Sequence, residues 1–339
     1  MDIISDMEKY LCVLEHSRFA RPPREALFSA AGGEIFGSEM HLAFNAAPYL
    51  LIGKQIENMP EPPGRILDLG CGTGYDTFYL KKHFAPASSI TGLDRVPSLA
   101  EYAAENYSRS GLQFINGNAS TLPFREESLD LVIAVFSIVH TMSQSQSRNC
   151  LLEIGRILKP GGTLIFSTPN RNLSQDLYHK NPENDPDLFF CHLLRTEYRL
   201  DELRSFLLSF CGGEKKTFNT FSIGTLSNTA LLPIWKNTLA KLRKKRFQEP
   251  GKESLISILA RRLLPSGFRA RYFFRMVKSE CRRMGVSPLD IARGVRYYPE
   301  GERNEGEHFM VVMRKGSGIG TDDAGYRMRD ENPDVRYRM

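Results

Sequence analysis

Two aspartates and three glycines carry the clearest chemistry in this chain. Asp68 follows the apolar pair Ile66-Leu67, and Gly70, Gly72 and Gly74 alternate just after it. Glycines at that spacing put bare backbone where side chains would obstruct a ligand. A second acid, Asp94, ends the apolar run 88–94, twenty residues beyond Gly74. A carboxylate can accept hydrogen bonds from both hydroxyls of a ribose. The interval is also about the one over which a nucleotide-binding fold places its ribose acid. The expected chemistry is therefore recognition of a nucleoside. A dinucleotide fingerprint is excluded, because its third glycine should stand where this chain has Tyr75. Counting from Gly72 and Gly74 instead would require glycine at Thr77.

Such a site needs a scaffold that turns strands into helices along one edge. Residues 63–170 supply one, since short apolar runs alternate there with helical patterns and imply a parallel sheet covered on both faces. Upstream, Ser38–Glu57 carries apolar residues at helical spacing, with Pro48 inside the pattern and Pro60, Pro62 and Pro63 ending it. Periodicity alone reads it as a helix filling one side of the core. Leu188–Phe210 reads as a helix, and Lys216–Ile223 as the strand after it. From Lys236 to Arg283 there are fifteen Lys or Arg and only three Glu, so the net charge of +6 originates here. Apolar stripes at Leu255–Leu264 and Tyr272–Met284 mark residues 231–305 as a basic helical insertion, with Arg261, Arg262, Arg282 and Arg283 off the stripes. Ser287, Pro288 and Asp290 supply an N-cap, a first-turn proline and a first-turn acid. The glycine- and charge-rich tail from Gly316 is expected to be disordered.

A chain of 339 residues with 41% hydrophobic side chains can bury a large core. Its six cysteines form no C-x-x-C pair, so neither a zinc site nor a disulfide framework is indicated and no metal is expected. A reducing cytoplasm is the expected compartment. The N-terminus lacks the layout of a signal peptide, and no apolar run approaches the length of a membrane span.

The stretch Ile66-Leu67-Asp68-Leu69-Gly70-Cys71-Gly72-Thr73-Gly74 resembles motif I of the class I S-adenosylmethionine (SAM)-dependent methyltransferases, the ubiquinone/menaquinone-type small-molecule enzymes in particular. Phe114–Ala119 resembles their third strand and its loop, and Ser128–Ala134 their fourth strand. Arg156–Phe166 is similar to the helix, Pro-Gly-Gly turn and fifth strand, and Glu307–Arg314 to the antiparallel strand that closes the sheet. The resemblance implies an α/β fold: a doubly wound, seven-stranded, mostly parallel sheet of the Rossmann-like methyltransferase kind, with a helical insertion. The resemblance also adds a second reading of the Ser38–Glu57 helix, a cap over the ligand. The expected divisions are a helical cap at 1–62, a core at 63–230, the insertion at 231–305, the last strand at 306–315 and the tail at 316–339. The implied cofactor is SAM, held by Asp68, Gly70, Cys71, Gly72, Gly74, Asp94, Asn118, Ala119 and Phe136. Asp94 would take the ribose hydroxyls, and Asn118, where many relatives carry Asp, the adenine amino group.

Methyl transfer from a sulfonium is an in-line displacement, in which the protein aligns the nucleophile and excludes water. A base is needed only where the nucleophile arrives protonated and weakly acidic. The loop after the fourth strand, Phe136–Thr141, should face the reacting centre, because open α/β sheets bind ligands at the carboxyl ends of their strands. His140 is the candidate catalytic base there; the alternative is a histidine that only packs or hydrogen-bonds. Cys71 reads as a small residue inside a tight turn. Ala134-Val135-Phe136-Ser137 stands where an Asn/Asp-Pro-Pro-Tyr motif would signal transfer to glutamine amides or DNA amines, which disfavours that chemistry. A small-molecule acceptor is expected. A protein or peptide docked on the basic insertion is the second reading, RNA the third, and a non-enzymatic SAM-binding protein the reading from another class. Nucleic acid is disfavoured because no RNA-binding motif is present. Peripheral contact of the basic helices with an anionic membrane remains open.

Overall fold

The computed structural model describes residues 48–57 in part, 61–108, 111–139, 144–170, 198–211, 216–230, 279–287, 294–299 and 308–316, with a few isolated residues between. β1 (Arg65–Leu69) leads into α1 (Tyr75–His83), and β2 (Ser89–Asp94) into α2 (Pro97–Tyr107). β3 (Leu112–Asn116) and β4 (Leu129–Ala134) follow, then α3 (Gln144–Ile157), β5 (Leu158–Pro169) and α4 (Leu200–Cys211). β6 (Thr220–Asn228), β7 (Val295–Tyr298) and β8 (His308–Arg314) complete the series. All eight strands form one sheet in the order β3-β2-β1-β4-β5-β8-β6-β7. β1 to β5 pair in parallel, while β8 runs against β5 and β6, and β7 against β6. The strand order reverses between β1 and β4, which opens a crevice at their carboxyl ends.

The central strands are near-continuous apolar runs because a parallel sheet is buried on both faces; Leu131, Val132, Ile133 and Ala134 are all fully enclosed. One face packs Leu67, Val132 and Phe166 against Leu151 and Ile154 of α3 and Leu203 and Phe210 of α4. The other packs Ile66, Ile133 and Ile165 against Leu80 of α1 and against Tyr49, Ile52 and Ile56 of the helical residues 48–57.

Eight strands stand where seven were expected. The additional one, β7, comes from the end of the segment read as a helical insertion. Its Val-Arg-Tyr-Tyr sequence favours an extended, half-buried chain, and pairing with Thr225–Asn228 covers what would be an open edge of β6. β5 begins at Leu158, ahead of the Pro160-Gly161-Gly162 turn. The pairing with β4 shifts register between Leu129 and Leu131, and Gly161 at φ 77° accommodates the irregularity. Further along, Ser287 and Asp290 form the expected cap: the Asp290 amide donates to Ser287 Oγ at 3.2 Å, and the Ser287 amide to Asp290 Oδ2 at 2.8 Å. Cys281 is buried and Arg282 exposed, as the stripe predicts, whereas Met284 is 38% exposed. His140, the stripe Leu255–Leu264 with Arg261 and Arg262, the residues before 48 and the tail beyond 316 lie outside the described residues. No helix among the described residues is long and apolar enough to cross a membrane.

One polar cluster holds the connection between β3 and β4 in place. Arg156 of α3 donates to the carbonyls of Phe124 and Leu122 at 3.0 and 3.1 Å, and pairs with Glu153, which accepts the Leu122 amide at 3.0 Å. The Arg156 hydrogen bond keeps the Glu153 carboxyl below its ordinary range. Arg156→Ala is expected to cost about 1–2 kcal/mol in urea unfolding, typical of lost charge-assisted hydrogen bonds at a partly exposed site. Because the Glu153 value is lowered on folding, the cost should be full at neutral pH and shrink as the pH falls through that value.

Candidate functional site

The turn from β1 into α1 and the end of β2 are bound to each other by backbone groups. The amides of Gly70 and Cys71 donate to the Leu93 carbonyl at 2.7 and 3.2 Å. The Gly72 amide donates to Asp94 Oδ2 at 3.0 Å, and the Val96 amide to Asp94 Oδ1 at 2.9 Å. Each Asp94 oxygen thus accepts at least one amide, and a carboxylate's four lone-pair sites leave room for a ligand. Burial raises the Asp94 carboxyl above its ordinary value, with the Val96 and Gly72 amides opposing that rise. Gly70, Gly72 and Gly74 all take positive φ, at 82°, 55° and 78°. Protein atoms also demand two of them: a Cβ on Gly70 would lie 2.2 Å from Ser137 Cβ, and one on Gly74 would lie 2.7 Å from Ala103 Cβ. Asn118 is exposed on the loop after β3, its Oδ1 accepting the Ser120 amide at 2.9 Å. Ala119 beside it is buried.

Asp68 lies beneath the turn with no exposed surface. The Tyr49 hydroxyl donates to its Oδ1 and Oδ2 at 3.1 and 3.3 Å, and Thr77 Oγ1 to Oδ2 at 2.6 Å. Its carboxylate therefore ties β1, α1 and the helical residues 48–57 together. Burial pushes its carboxyl up to about 7, against the opposing hydrogen bonds from Thr77 and Tyr49. Burial also pushes the Cys71 thiol well up, with Asp68 and Asp94 adding to the rise, so the thiol is held protonated at neutral pH and serves as a small packed side chain.

The loop after β4 is strained and clamped. Phe136 and Val139 take φ values of 50° and 62°, which for a β-branched residue such as Val139 is a rare conformation. Three serines hold it. The Phe136 amide donates to Ser167 Oγ at 2.8 Å, Ser137 Oγ to the Leu69 carbonyl at 2.6 Å, and Ser147 Oγ to the Val139 carbonyl at 3.2 Å. Phe136 packs edge-on against His308, with ring centroids 4.9 Å apart. The structure thus brings Asp68, Gly70, Cys71, Gly72, Gly74, Asp94 and Phe136 to one edge, where β1, β2 and β4 end. Sequence reasoning missed Tyr49, Thr77, Ser137, Ser147, Ser167 and His308 at this edge. No local pattern marks them, since each acts on a partner distant in the chain.

The Asp68 geometry has a consequence for stability. A carboxyl raised on folding takes up a proton, so its contribution favours the folded state in acid and is lost as the pH rises from the ordinary aspartate range through about 7. Asp68→Asn is nearly isosteric and does not titrate. Differential scanning calorimetry should show the wild-type protein losing ground to Asp68→Asn as the pH is raised from about 5 to 8; parallel curves would remove Asp68 as the titrating group.

Residues 66–162 match the Methyltransferase domain family. The demethylmenaquinone methyltransferase of Lactococcus lactis subsp. lactis (strain IL1403) is 34% identical over 125 residues, 34% of this chain and 48% of that protein. The fatty-acid O-methyltransferase of Mycolicibacterium smegmatis is 32% identical over 103 residues, 30% of this chain and 36% of that protein. The matches thus span less than half the length of each of these relatives. The solved structure of a SAM-dependent methyltransferase from Thermotoga maritima aligns with a TM-score of 0.44 at 17% identity, over 82% of this chain and 100% of that one. Residues 66–162, which carry the acid-led glycine turn and strands β1 to β4, are thus similar to the Methyltransferase domain family.

Proposed function

We propose that this protein transfers a methyl group from SAM to a small-molecule acceptor. The observation that carries the reading is Asp94, which ends β2 beside the glycine turn, with a backbone amide on each oxygen and lone pairs to spare. SAM, when bound, supplies an electrophilic methyl group on a sulfonium. The residues present fit it. Asp94 would receive the ribose hydroxyls, the exposed Asn118 amide and Ala119 would border the adenine, and the turn Gly70–Gly74, Cys71 included, would lie along the methionine part. Asp68 acts from below the turn as a positioning group, and its contact with Tyr49 ties it to helical residues 48–57, whose Ile52 and Ile56 fill this side of the core.

The chain's contribution to the reaction is alignment and exclusion of water. The serine-held loop 136–139 fixes Phe136 at the reacting edge without cost at the moment of transfer. That the two relatives named above act on demethylmenaquinone and on a fatty acid supports a small-molecule acceptor.

Two measurements test this. Calorimetry should show S-adenosylhomocysteine, the demethylated product, binding the wild-type protein. Asp94→Ala should weaken it by roughly tenfold or more, the loss expected when hydrogen bonds to a charged group are removed. Unchanged affinity would sink the cofactor assignment. Incubation with methyl-labelled SAM and separate small-molecule, protein and RNA fractions should then place label in the small-molecule fraction; label confined to protein or RNA would overturn the acceptor class.

A further inference from the structure

His308 reaches the reacting edge because of strand direction. β8 runs against β5, so its first residue lies opposite Pro169, the last residue of β5. His308 is also opposite Leu226 of β6, and Leu226 is opposite Tyr297 of β7. Directly opposed residues share a sheet face, so His308, Leu226 and Tyr297 form one row across it. Phe136 sits against the imidazole at 4.9 Å. The next residue, Ser137, is tied to the Leu69 carbonyl and crowds Gly70. One ring therefore separates the imidazole from the loop that meets the glycine turn.

The imidazole is partly exposed, whereas Phe309 after it is fully enclosed. Among the groups that approach it are Phe136 from the loop after β4, Pro169 of β5 and Leu226 of β6, all apolar. The titratable groups on that face include Tyr297, beyond Leu226, Asp94 and Tyr49 with Asp68 toward the turn, and Tyr107 in the same core cluster. The other described histidine, His83, ends α1 and packs on Tyr79, away from this edge.

We propose that His308 is a catalytic residue of this site: its imidazole takes the proton from the acceptor's nucleophilic atom as that atom is methylated. The proposal rests on the methyl-transfer reading above. The acceptor's O–H or N–H bond breaks, and its proton bonds to an imidazole nitrogen. The electron pair so freed forms the bond to the methyl carbon, and the carbon–sulfur bond breaks with its pair left on sulfur. The positive charge of the sulfonium thus ends on the imidazolium, which returns the proton to water. Imidazole suits this exchange because it both gains and loses a proton near neutral pH.

The test has one readout independent of turnover. The His308 Cε1 proton resonance, assigned by its loss in His308→Gln, is titrated by NMR in the full-length protein saturated with SAM or with S-adenosylhomocysteine. A cation close to the imidazole disfavours its protonated form. The midpoint should therefore be lower with SAM than with S-adenosylhomocysteine, by about half a pH unit or more. Label transfer to the small-molecule fraction should fall roughly a hundredfold in His308→Gln and lose the acidic limb of its pH profile. His308→Phe, which keeps the ring packed on Phe136, should lose activity equally. Both variants should retain S-adenosylhomocysteine affinity and melting temperature. Equal midpoints with the two ligands, an unaltered pH profile in His308→Gln, or loss of S-adenosylhomocysteine binding in both variants would each overturn the proposal. No transfer by the wild-type protein to any fraction would overturn the methyl-transfer reading and this proposal with it, an outcome distinct from failures confined to the variants.

Discussion

The end of β1 and the end of β4 meet at Gly70 and Ser137, and their contact leaves no room for another carbon. A Cβ on Gly70 would fall 2.2 Å from Ser137 Cβ, far inside van der Waals separation. Ser137 Oγ then fastens the contact by donating to the Leu69 carbonyl at 2.6 Å. The glycine turn and the loop after β4 are in this way held at one fixed separation where the strand order reverses. Asp94 reaches the turn through the Gly72 amide, and His308 reaches the loop through Phe136. Both sides of the site are therefore placed relative to the same few atoms.

Two aspartates a short distance apart are put to different uses by their surroundings. Asp94 receives one backbone amide on each oxygen and remains slightly exposed, so it can both brace the turn and face a ligand. Asp68 has no exposure and spends its oxygens on Tyr49 and Thr77. Desolvation carries its carboxyl up to about 7, against the opposing hydrogen bonds from Thr77 and Tyr49. The same residue type thus braces a turn at a partly open edge in one place and is a buried titrating cross-brace in the other.

The antiparallel side of the sheet contributes what the parallel side cannot. A parallel strand presents its carboxyl end to the ligand edge, whereas β8, entering in reverse, presents its amino end and so delivers His308 there. β6 follows β8, and β7 covers the outer edge of β6, where unpaired backbone groups would otherwise face solvent.

The glycine turn and its two acids, the candidate nucleoside site, were legible in the amino-acid sequence because their determinants are local. An acid, three alternating glycines and a second acid after the next apolar run encode a strand, a positive-φ turn and another strand end, each within a few residues of its cause. The parallel core was legible for the same reason, since fully buried strands must be continuous apolar runs. What only the tertiary structure decided depends on residues far apart in the chain. The burial of Asp68 depends on Tyr49 and Thr77, the clamping of the strained loop on Ser147 and Ser167, and the eighth strand on pairing between Val295–Tyr298 and β6. The position of His308 depends on a strand direction that no periodicity records. Local patterns report which face of an element is apolar, but a hydroxyl or an imidazole acquires its role from the atom packed against it, and that neighbour is chosen by the fold.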